Sequence, residues 1–333
     1  MMVACAAVAI AASAEEQHPV REEIVEQIKL KASSWTPKEV KDNKLRHRSS
    51  ESIKNSMGHL GVSPSLMPTD FLKTVAGTAS DFFKKVASTM GLDELKNEHF
   101  RLKQESGDKA DEKEKKKDKK DKDDKDKEPE ECIDDGSRPC PNGLPEKFSW
   151  REERPSCLGE IQDQGECGSC WAFTSAGLLS DRLCIHTNGA IDVRLSPQEM
   201  VNCNYENYGC QGGYLVTSVD YLMVEGAVPE QCVPYVDGMN VCSYRCSDSG
   251  FTAYDKYYCK PGTLAIAVTY DEIKRELMKN GPMLMGLQIM EDFLNYEKGI
   301  YQHVTGEQIG GHAMKLIGWG YDETEGLYWE LQN

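Results

Sequence analysis

The density of cysteines is the feature of this sequence that most constrains its fold. Ten of the thirteen cysteines lie between Cys157 and Cys259. Residues 1–14 form a short apolar run that ends in Ala-Ser-Ala at 12–14, a pattern typical of a secretory signal and its cleavage site. Because an exported chain meets an oxidising compartment, the cysteines predict a disulfide framework. The alternative for residues 1–14 is a buried N-terminal helix, since the run is too short to span a bilayer.

The charge of the chain argues against nucleic acid and against an anionic membrane as its main partner. The sequence has 55 acidic and 39 basic residues and a net charge of -16, which repels phosphate groups. Residues 108–131 consist of 12 acids and 10 lysines, with Ala110 and Pro129 as the only other residues. Because this run has almost no apolar side chains, burial cannot offset the entropy lost on ordering its backbone. It is therefore predicted to be a solvated linker or a fluctuating helix. Cys132 and Cys140 come after it and could pair with each other.

Composition divides the rest of the sequence into three regions. Residues 15–65 begin with apolar side chains at helical spacing over 20–30, and Trp35 ends that pattern. Residues 66–143 contain a second, weaker helical pattern over 70–100 and then the charged run. Neither pattern is long enough to form a core alone, so the main folded domain is expected in the third region.

The third region, residues 144–333, has the aromatic side chains, glycines and short apolar runs of a folded domain. Caps and breakers predict helices over Ser169–Leu183, Ser196–Val201 and Tyr270–Asn280. Four later runs separated by turn residues predict strands of an antiparallel sheet or barrel: MLMGLQI, GIYQHV, HAMKLIGWGY and LYWELQ. Helices first and strands second imply an α+β body of two halves with a cleft between them.

The segment QDQGECGSCWAF, residues 162–173, holds a C-x-x-C pair that could be a redox pair, a disulfide partner, half of a zinc site or a nucleophile. A helix N-terminus lowers a cysteine's pKa, and only the thiolate is nucleophilic. Cys170 stands at the predicted helix start and is the candidate nucleophile, whereas Cys167 is free to form a disulfide. Thioredoxin-like pairs carry a tryptophan before the first cysteine, and here Trp171 follows the second. A zinc site needs a second pair, for which the nearest analogue, at 242–246, has no paired histidines.

The stretch QGECGSCWAF resembles the active-site segment of papain-like cysteine proteases, whose signature is C-G-[SA]-C-[WY]. That family also has a histidine roughly 130 to 150 residues downstream. His312, in IGGHAMKLIGWGY, lies 142 residues after Cys170. His186 and His303 are expected to be ordinary turn or exposed histidines. The resemblance implies that Cys170 is the nucleophile and that His312 exchanges protons with it and with the leaving group.

The resemblance also implies roles for four other residues. Asn333, in YWELQN, stands where the family has an asparagine that accepts the histidine ring N–H and orients the ring. Gln164, six residues before Cys170, matches the glutamine that donates to the developing oxyanion. Gly212 and Gly213, in CQGGY, match the glycine-rich wall where substrate backbone lies, because glycine permits such a close approach.

Within the family, the sequence looks most like the cathepsin B branch. Residues 18–62 resemble its short pro-region, and LPEKFSWRE, DRLCIHTNG and GIYQHVTGEQIGGHA resemble parts of its mature domain, so the similarity covers 18–62 and 144–333. Residues 66–131 have no counterpart there, which marks 66–143 as an insertion. The resemblance leaves Cys259 without a partner and implies four disulfides: Cys157 with Cys184, Cys167 with Cys210, Cys203 with Cys242, and Cys232 with Cys246.

Two departures from the cathepsin B pattern bear on function. The occluding loop of that branch carries two adjacent histidines that accept a substrate's C-terminal carboxylate. Here the span after Cys232, VPYVDGMNVCSYRC, is short and lacks histidine, so endopeptidase action is expected rather than removal of C-terminal dipeptides. The family also continues past its asparagine, to a residue that floors the main specificity pocket. We therefore expect the sequence to be a fragment, and its residue preference cannot be predicted.

The sequence thus predicts an α+β, papain-like two-lobed fold, with a helical left lobe, an antiparallel β-barrel-like right lobe and a cleft between them. The expected function is a cysteine endopeptidase, made as a zymogen in the secretory pathway, for a lysosome, a vacuole or the extracellular space. Its expected partners are polypeptide substrates and its own pro-region, residues 15–65, as an intramolecular inhibitor, with no metal and no cofactor. The alternatives are a catalytically impaired papain-like binding protein and a disulfide-rich structural or zinc-binding protein.

Overall fold

Three stretches of the chain are described by a computed structural model: residues 18–58, 143–247 and 254–333. Within them, no helix combines the length and the apolarity that crossing a bilayer requires. Several predictions fall outside the described residues, namely the signal over 1–14, the helical pattern over 70–100, the charged run over 108–131, and the pairing of Cys132 with Cys140.

Seven α-helices and six strands form the regular structure of these stretches. The helices are α1 (Glu22–Lys31), α2 (Ser50–Asn55), α3 (Trp150–Glu153), α4 (Cys170–His186), α5 (Pro197–Cys203), α6 (Leu215–Val224) and α7 (Tyr270–Asn280). The strands are β1 (Trp35–Pro37), β2 (Phe148–Ser149), β3 (Met283–Met290), β4 (Tyr296–Gly299), β5 (Gln308–Asp322) and β6 (Gly326–Gln332). Short 3-10 turns occupy Val40–Asp42, Lys44–His47, Gly209–Gln211 and Glu291–Asn295.

Helix α4 is the centre of the helical lobe. Twelve of its 17 residues are buried, so it is covered on nearly all sides, by α5 and α6 on one flank and by β5 on another. Helix α5 begins where the sequence predicts, because the Ser196 hydroxyl accepts from the Glu199 N–H at 2.9 Å. The core between these helices is built on Trp171, Met200 and Leu222.

Strand β5 organises the second lobe. It pairs antiparallel with β3 over Met283 to Met290, with β6 along a hairpin, and with the short β2. Helix α7 starts with a capping box between Thr269 and Glu272 and packs near this sheet. The described strands form an open sheet rather than a closed barrel, because β5 carries all three pairings. The antiparallel strands that the sequence predicts for this lobe are therefore present, and among the described residues they do not close into a barrel.

The N-terminal stretch, residues 18–58, packs on the sheet lobe. Helix α1 buries Ile24, Val25 and Ile28, as the helical spacing predicts, but Leu30 is 84% exposed and lies off that face. Trp35 ends the helical pattern and opens β1, which pairs antiparallel with β4. This small two-stranded sheet joins the N-terminal stretch to the body of the chain.

One strand prediction for residues 144–333 is wrong and one helix there is missing from the predictions, and each difference has a physical cause. Beyond its first glycine, which ends β4, GIYQHV forms no strand, because the Asp292 carboxylate accepts from the N–H groups of Val304 and Thr305 and from the Tyr301 hydroxyl. These bonds satisfy backbone groups that a strand would place in a ladder. Helix α6 was not predicted, because LVTSVDYLMV is rich in β-branched residues with low helix propensity, and the burial of Leu222 outweighs that preference.

Four disulfides connect the loops around the helical lobe. They join Cys157 to Cys184, Cys167 to Cys210, Cys203 to Cys242, and Cys232 to Cys246, the same four pairs that the resemblance implies. Chain-entropy arguments assign about 3 kcal/mol of stability to a bridge that closes a loop of about 15 residues, such as Cys232–Cys246, and more to bridges that close longer loops. The free thiols of the described residues are those of Cys170 and Cys259.

A buried carboxylate joins the two lobes. Asp181, in α4, is fully buried, and its carboxylate contacts the Lys315 ammonium of β5 and the Arg194 guanidinium, the latter at 3.1 Å. Lys315 is itself 6% exposed, so both charges have left water. Removing one partner of such a pair is costly because it leaves the other charge without compensation.

We predict that Lys315→Met lowers the free energy of unfolding by about 3 kcal/mol, the lower end for a broken buried ion pair, because Arg194 still contacts Asp181. Urea unfolding, followed by tryptophan fluorescence, measures the change. The matched control is Lys298→Met on β4, where the lysine is exposed and the same substitution should shift stability by less than about 0.5 kcal/mol. Equal midpoints for the two variants contradict the prediction.

Candidate active site

Cys170 is a free thiol at the first residue of the central helix. Its side chain is 1% exposed, and Ser169 immediately precedes the helix. The other cysteine of the C-x-x-C pair, Cys167, is bonded to Cys210. The pair is therefore neither a redox couple nor half of a zinc site, and the second cysteine alone is available for chemistry, as its position in the sequence predicts.

His312 and Asn333 form a hydrogen-bonded pair across the β5–β6 hairpin. His312 Nε2 lies 2.6 Å from Asn333 Oδ1, and Asn333 follows directly after β6. Because an amide oxygen can only accept, Nε2 carries a proton and donates it. The opposite ring nitrogen, Nδ1, is buried and has no hydrogen-bond partner in the part of the chain that the structure describes. A neutral ring held this way keeps the lone pair of Nδ1 available.

The thiol and the histidine come from different lobes and meet where α4 approaches β5. The backbone N–H of Ala313, the residue after His312, donates to Cys170 Sγ at 3.4 Å. The asparagine amide in turn donates to the Gln162 carbonyl at 3.4 Å, in the loop that leads to Cys170. The thiol thus shares one site with a histidine and an asparagine that lie at least 142 positions further along the sequence.

The end of the N-terminal stretch lies in the cleft over this site. Gln164 Nε2 donates to the Ser56 carbonyl at 2.8 Å and to the Cys167 carbonyl at 2.9 Å. The Gly213 N–H donates to the Gly58 carbonyl at 2.8 Å. Across the cleft, Met57 packs so close to Gly310 that a Cβ added to Gly310 would stand 2.6 Å from the Met57 Cβ. Residues 56–58 therefore contact both lobes, and nothing in their local sequence pattern marks them for that position.

The two glycines that the sequence assigns to substrate binding have different structural reasons. Gly212 has a φ of 109°, a conformation that favours glycine. A Cβ on Gly213 would stand 2.7 Å from the Trp171 ring and 2.8 Å from Asn207. The packing of Trp171 and Asn207 is therefore sufficient reason for glycine at position 213. The absence of a side chain also lets the Gly213 N–H bond to the Gly58 carbonyl in the cleft.

Burial sets the protonation of both reactive groups. It raises the pKa of the Cys170 thiol to about 11, against the opposing effect of backbone N–H donors that include those of Ala313 and Gly58. Burial also lowers the pKa of His312, although the bond to Asn333 opposes this. At neutral pH the thiol therefore keeps its proton and the imidazole is neutral. With residues 56–58 in the cleft, the pair is present but not ionised.

The other histidines and cysteines that the sequence analysis considers lie away from the Cys170 site. His186 contacts the Asn280 carbonyl at a helix end, and His303 contacts the Asp292 carboxylate. Cys242 and Cys246 are both in disulfides, so they cannot serve as zinc-binding thiolates. No group of three or more potential metal ligands is assembled within residues 18–58, 143–247 and 254–333.

Comparison with known proteins decides the family. The model for papain family cysteine proteases matches residues 144–333, more than half of the chain. The chain belongs to the papain family of cysteine proteases. It is 34% identical over 201 residues to cathepsin B-like CP2 of Giardia intestinalis, a match that covers 57% of this chain and 64% of that protein. It is 34% identical over 193 residues to cathepsin B of Dictyostelium discoideum, covering 53% of this chain and 61% of that protein.

The chain thus spans less than two thirds of the length of these two relatives. Among solved structures, proCathepsin B S9 from Trypanosoma congolense superposes with a TM-score of 0.61, covering 95% of this chain and 94% of that one. The two are 20% identical, so this likeness concerns the fold. The papain-like, two-lobed α+β architecture that the resemblance implies is therefore confirmed.

The protonation of Cys170 gives a measurable prediction. In the intact chain, the rate of Cys170 alkylation by iodoacetamide should rise about tenfold per pH unit from pH 7 towards pH 11, because only the thiolate reacts and its pKa is about 11. Mass spectrometry of the peptide that contains Cys170 measures the rate, and a Cys170→Ala chain identifies background labelling. A rate that is already constant below pH 8 contradicts the prediction.

Proposed function

We propose that the protein is a cysteine endopeptidase made as a latent precursor. The observation that carries this proposal is the contact between lobes: a free, buried thiol on α4 touches the residue after His312, whose ring is bonded to Asn333. A nucleophile, a base within reach of it and a third group that orients the base form the arrangement on which thiol proteases depend. The family membership of residues 144–333 supports the same reading.

In the proposed first half-reaction, the Cys170 thiol gives its proton to His312 Nδ1 and the sulfur attacks the substrate carbonyl carbon. The carbonyl oxygen becomes an oxyanion, which the amide of Gln164 and the Cys170 N–H stabilise. His312 then returns the proton to the leaving amine as the C–N bond breaks, which leaves a thioester on Cys170. Asn333 holds the ring so that Nδ1 serves both transfers.

In the second half-reaction, a water attacks the thioester carbonyl. His312 Nδ1 takes a proton from that water and passes a proton to the departing sulfur, so the acid product leaves and the thiol is restored. The Gln164 amide already donates to a carbonyl, that of Ser56, in the structure. A carbonyl of a substrate in the same place would accept the same bond, which supports the assignment of Gln164 as an oxyanion donor.

The N-terminal stretch is proposed as the inhibitor of the precursor. Its residues 56–58 lie where substrate must lie, and their presence accompanies a thiol pKa of about 11. We propose that residues 15–65 form this pro-region, that 66–143 are an insertion that includes the charged run, and that 144–333 form the peptidase domain. Cleavage near Leu144 would release the pro-region and admit water to the thiol and the imidazole.

The loop after Cys232 supports internal cleavage over removal of C-terminal dipeptides. Its residues 233–246 hold no histidine, and the Asp237 carboxylate in this span accepts from the N–H groups of Glu166 and Cys167, close to Gln164. A carboxylate repels the carboxylate of a peptide C-terminus. The four disulfides and the apolar run over 1–14 support passage through the secretory pathway, to a lysosome, a vacuole or the extracellular space.

The proposal predicts that, once limited proteolysis has removed residues 1–143, Cys170→Ala hydrolyses a dipeptidyl fluorogenic amide at least about a thousandfold more slowly than the unsubstituted chain treated in the same way, because the nucleophile is removed. Cys259→Ala is the matched control, since it removes the other free thiol of the described residues and should leave the rate unchanged. Substrate binding without hydrolysis in the unsubstituted chain would instead favour the papain-like binding protein.

Latency gives a separate prediction. Gly58→Ala should raise the initial rate of the unprocessed chain roughly tenfold, because a Cβ on Gly58 would stand 1.9 Å from the Gly168 carbonyl oxygen and displace residues 56–58. The rate is measured on a small substrate before any N-terminal cleavage appears by mass spectrometry. Gly238→Ala is the control, since its Cβ would meet only the Val236 carbonyl at 3.9 Å. Unchanged latency in Gly58→Ala would contradict the inhibitory role.

A further inference from the structure

The loop that carries the proposed oxyanion donor has no regular structure of its own. Residues 162–169 contain neither helix nor strand, although Gln164 and the start of α4 must keep a fixed separation for catalysis. The Cys167–Cys210 disulfide fixes one point of this loop. Other groups must fix the positions around Gln164 and Ser169.

Tyr235 ties the two ends of this loop together. Its hydroxyl donates to the Gln164 backbone carbonyl at 2.6 Å and lies 2.8 Å from the Ser169 hydroxyl. A phenol has one proton, so with that proton on the Gln164 carbonyl, the Ser169 hydroxyl donates to Tyr235. The ring is held edge-on against Phe173 of α4, with centroids 4.5 Å apart. One phenol therefore links the oxyanion donor to the residue before Cys170.

Asp237 fixes the middle of the same loop. Its Oδ1 accepts from the N–H of Glu166 at 2.9 Å and from the N–H of Cys167 at 3.0 Å. The approach is so close that a Cβ on Gly165 would stand 2.1 Å from Asp237 Oδ2. Gly165 has a φ of 66°, so both its conformation and its neighbour require glycine. The carboxylate thus replaces a strand partner for two consecutive backbone donors.

Both side chains come from a segment that is itself held rigidly. The fully buried Gln198 of α5 accepts from the Val236 N–H at 2.9 Å and donates to the Gly238 carbonyl at 2.7 Å. The Cys232–Cys246 disulfide closes the loop around them. Since every one of these contacts lies within residues 143–247, the support does not depend on the N-terminal stretch.

We infer that Tyr235 and Asp237 are positioning residues for the proposed reaction: they hold the Gln164 amide at its distance from the Cys170 sulfur after the N-terminal stretch has left. In the precursor, Arg48 also contacts this loop, through the Gly165 carbonyl at 3.1 Å, and Ser56 accepts from Gln164. Those two contacts are lost with residues 18–58. The inference rests on the proposed function, because it assigns the two residues to that function's oxyanion donor.

The burial of Tyr235 keeps its bond intact over a wide pH range. Burial raises the pKa of the phenol to about 12, although the bond from Ser169 opposes this. The hydroxyl therefore remains protonated, and able to donate to the Gln164 carbonyl, at every pH where a peptidase assay is practical. No change of pH within that range is expected to break the bond from Tyr235 to the Gln164 carbonyl.

The test compares Tyr235→Phe with the unsubstituted chain, after limited proteolysis has removed residues 1–143 from each. Tyr235→Phe keeps the ring against Phe173 and loses both hydroxyl contacts. We expect kcat for a dipeptidyl amide to fall about tenfold, equivalent to about 1.4 kcal/mol, with KM unchanged. Alkylation of Cys170 by iodoacetamide should keep its rate, because that reaction forms no oxyanion.

A double-mutant cycle shows whether Tyr235 acts through Gln164. On a Gln164→Ala background the tenfold effect of Tyr235→Phe should largely disappear, because the donor that it positions is gone. Asp237→Ala should lower kcat in the same way, whereas Asp237→Asn should restore it, since the amide oxygen still accepts. Tyr205→Phe, at a tyrosine that is 74% exposed, is the matched control and should change nothing.

The outcomes separate this inference from the proposed function. An unsubstituted chain without Cys170-dependent peptidase activity overturns the proposed function and this inference with it. An active unsubstituted chain overturns this inference alone in three cases. In the first, kcat of Tyr235→Phe is unchanged. In the second, the rate of Cys170 alkylation falls by the same factor as kcat. In the third, Tyr235→Phe still lowers kcat tenfold on the Gln164→Ala background.

Discussion

The packing of α4 against β5 is the contact on which the rest of the site depends. The Asp181 carboxylate of α4 takes Lys315 of β5 out of water, three residues after His312 in the same strand. Such a buried charge pair tolerates little sliding, because any displacement leaves a charge without its partner. It thereby fixes the register of the helix against the strand. That register brings the Cys170 thiol to the Ala313 N–H and the imidazole to the same end of the cleft.

The end of the N-terminal stretch lies in the cleft beside Cys170, the proposed nucleophile. Residues 56–58 supply carbonyl acceptors to Gln164 and Gly213, which satisfies the donors of the cleft. Beside them, burial raises the pKa of the Cys170 thiol to about 11, an effect that the Gly58 N–H opposes, and burial lowers the pKa of His312. In the proposed latent form, the Cys170 thiol is therefore protonated, and a protonated thiol is not the nucleophilic species.

Much of this arrangement could be predicted from sequence, because it rests on local signals and on motif spacing. Capping residues predict where α5 and α7 begin. The C-G-S-C-W motif, with a histidine 142 residues after its second cysteine, indicates the candidate active site. Contacts distant in sequence gave no such signal. The irregular path of residues 300–304 is set by the carboxylate of Asp292, and the supports of the oxyanion loop come from Tyr235, about 70 residues away. Neither side chain stands in a pattern that distinguishes it from an ordinary loop residue.

The β1–β4 pairing bears on how the chain would behave after the proposed loss of residues 18–58. Strand β4 pairs with β1, and the Trp35 ring packs at an angle against the rings of Tyr296 and Tyr301 while its indole N–H donates to the Gln302 carbonyl. A product without residues 18–58 would present β4 as an unpaired edge beside a newly wetted aromatic surface. Exposed edges and apolar patches promote self-association. The shortened product would thus admit substrate to the cleft but would self-associate more readily than the precursor.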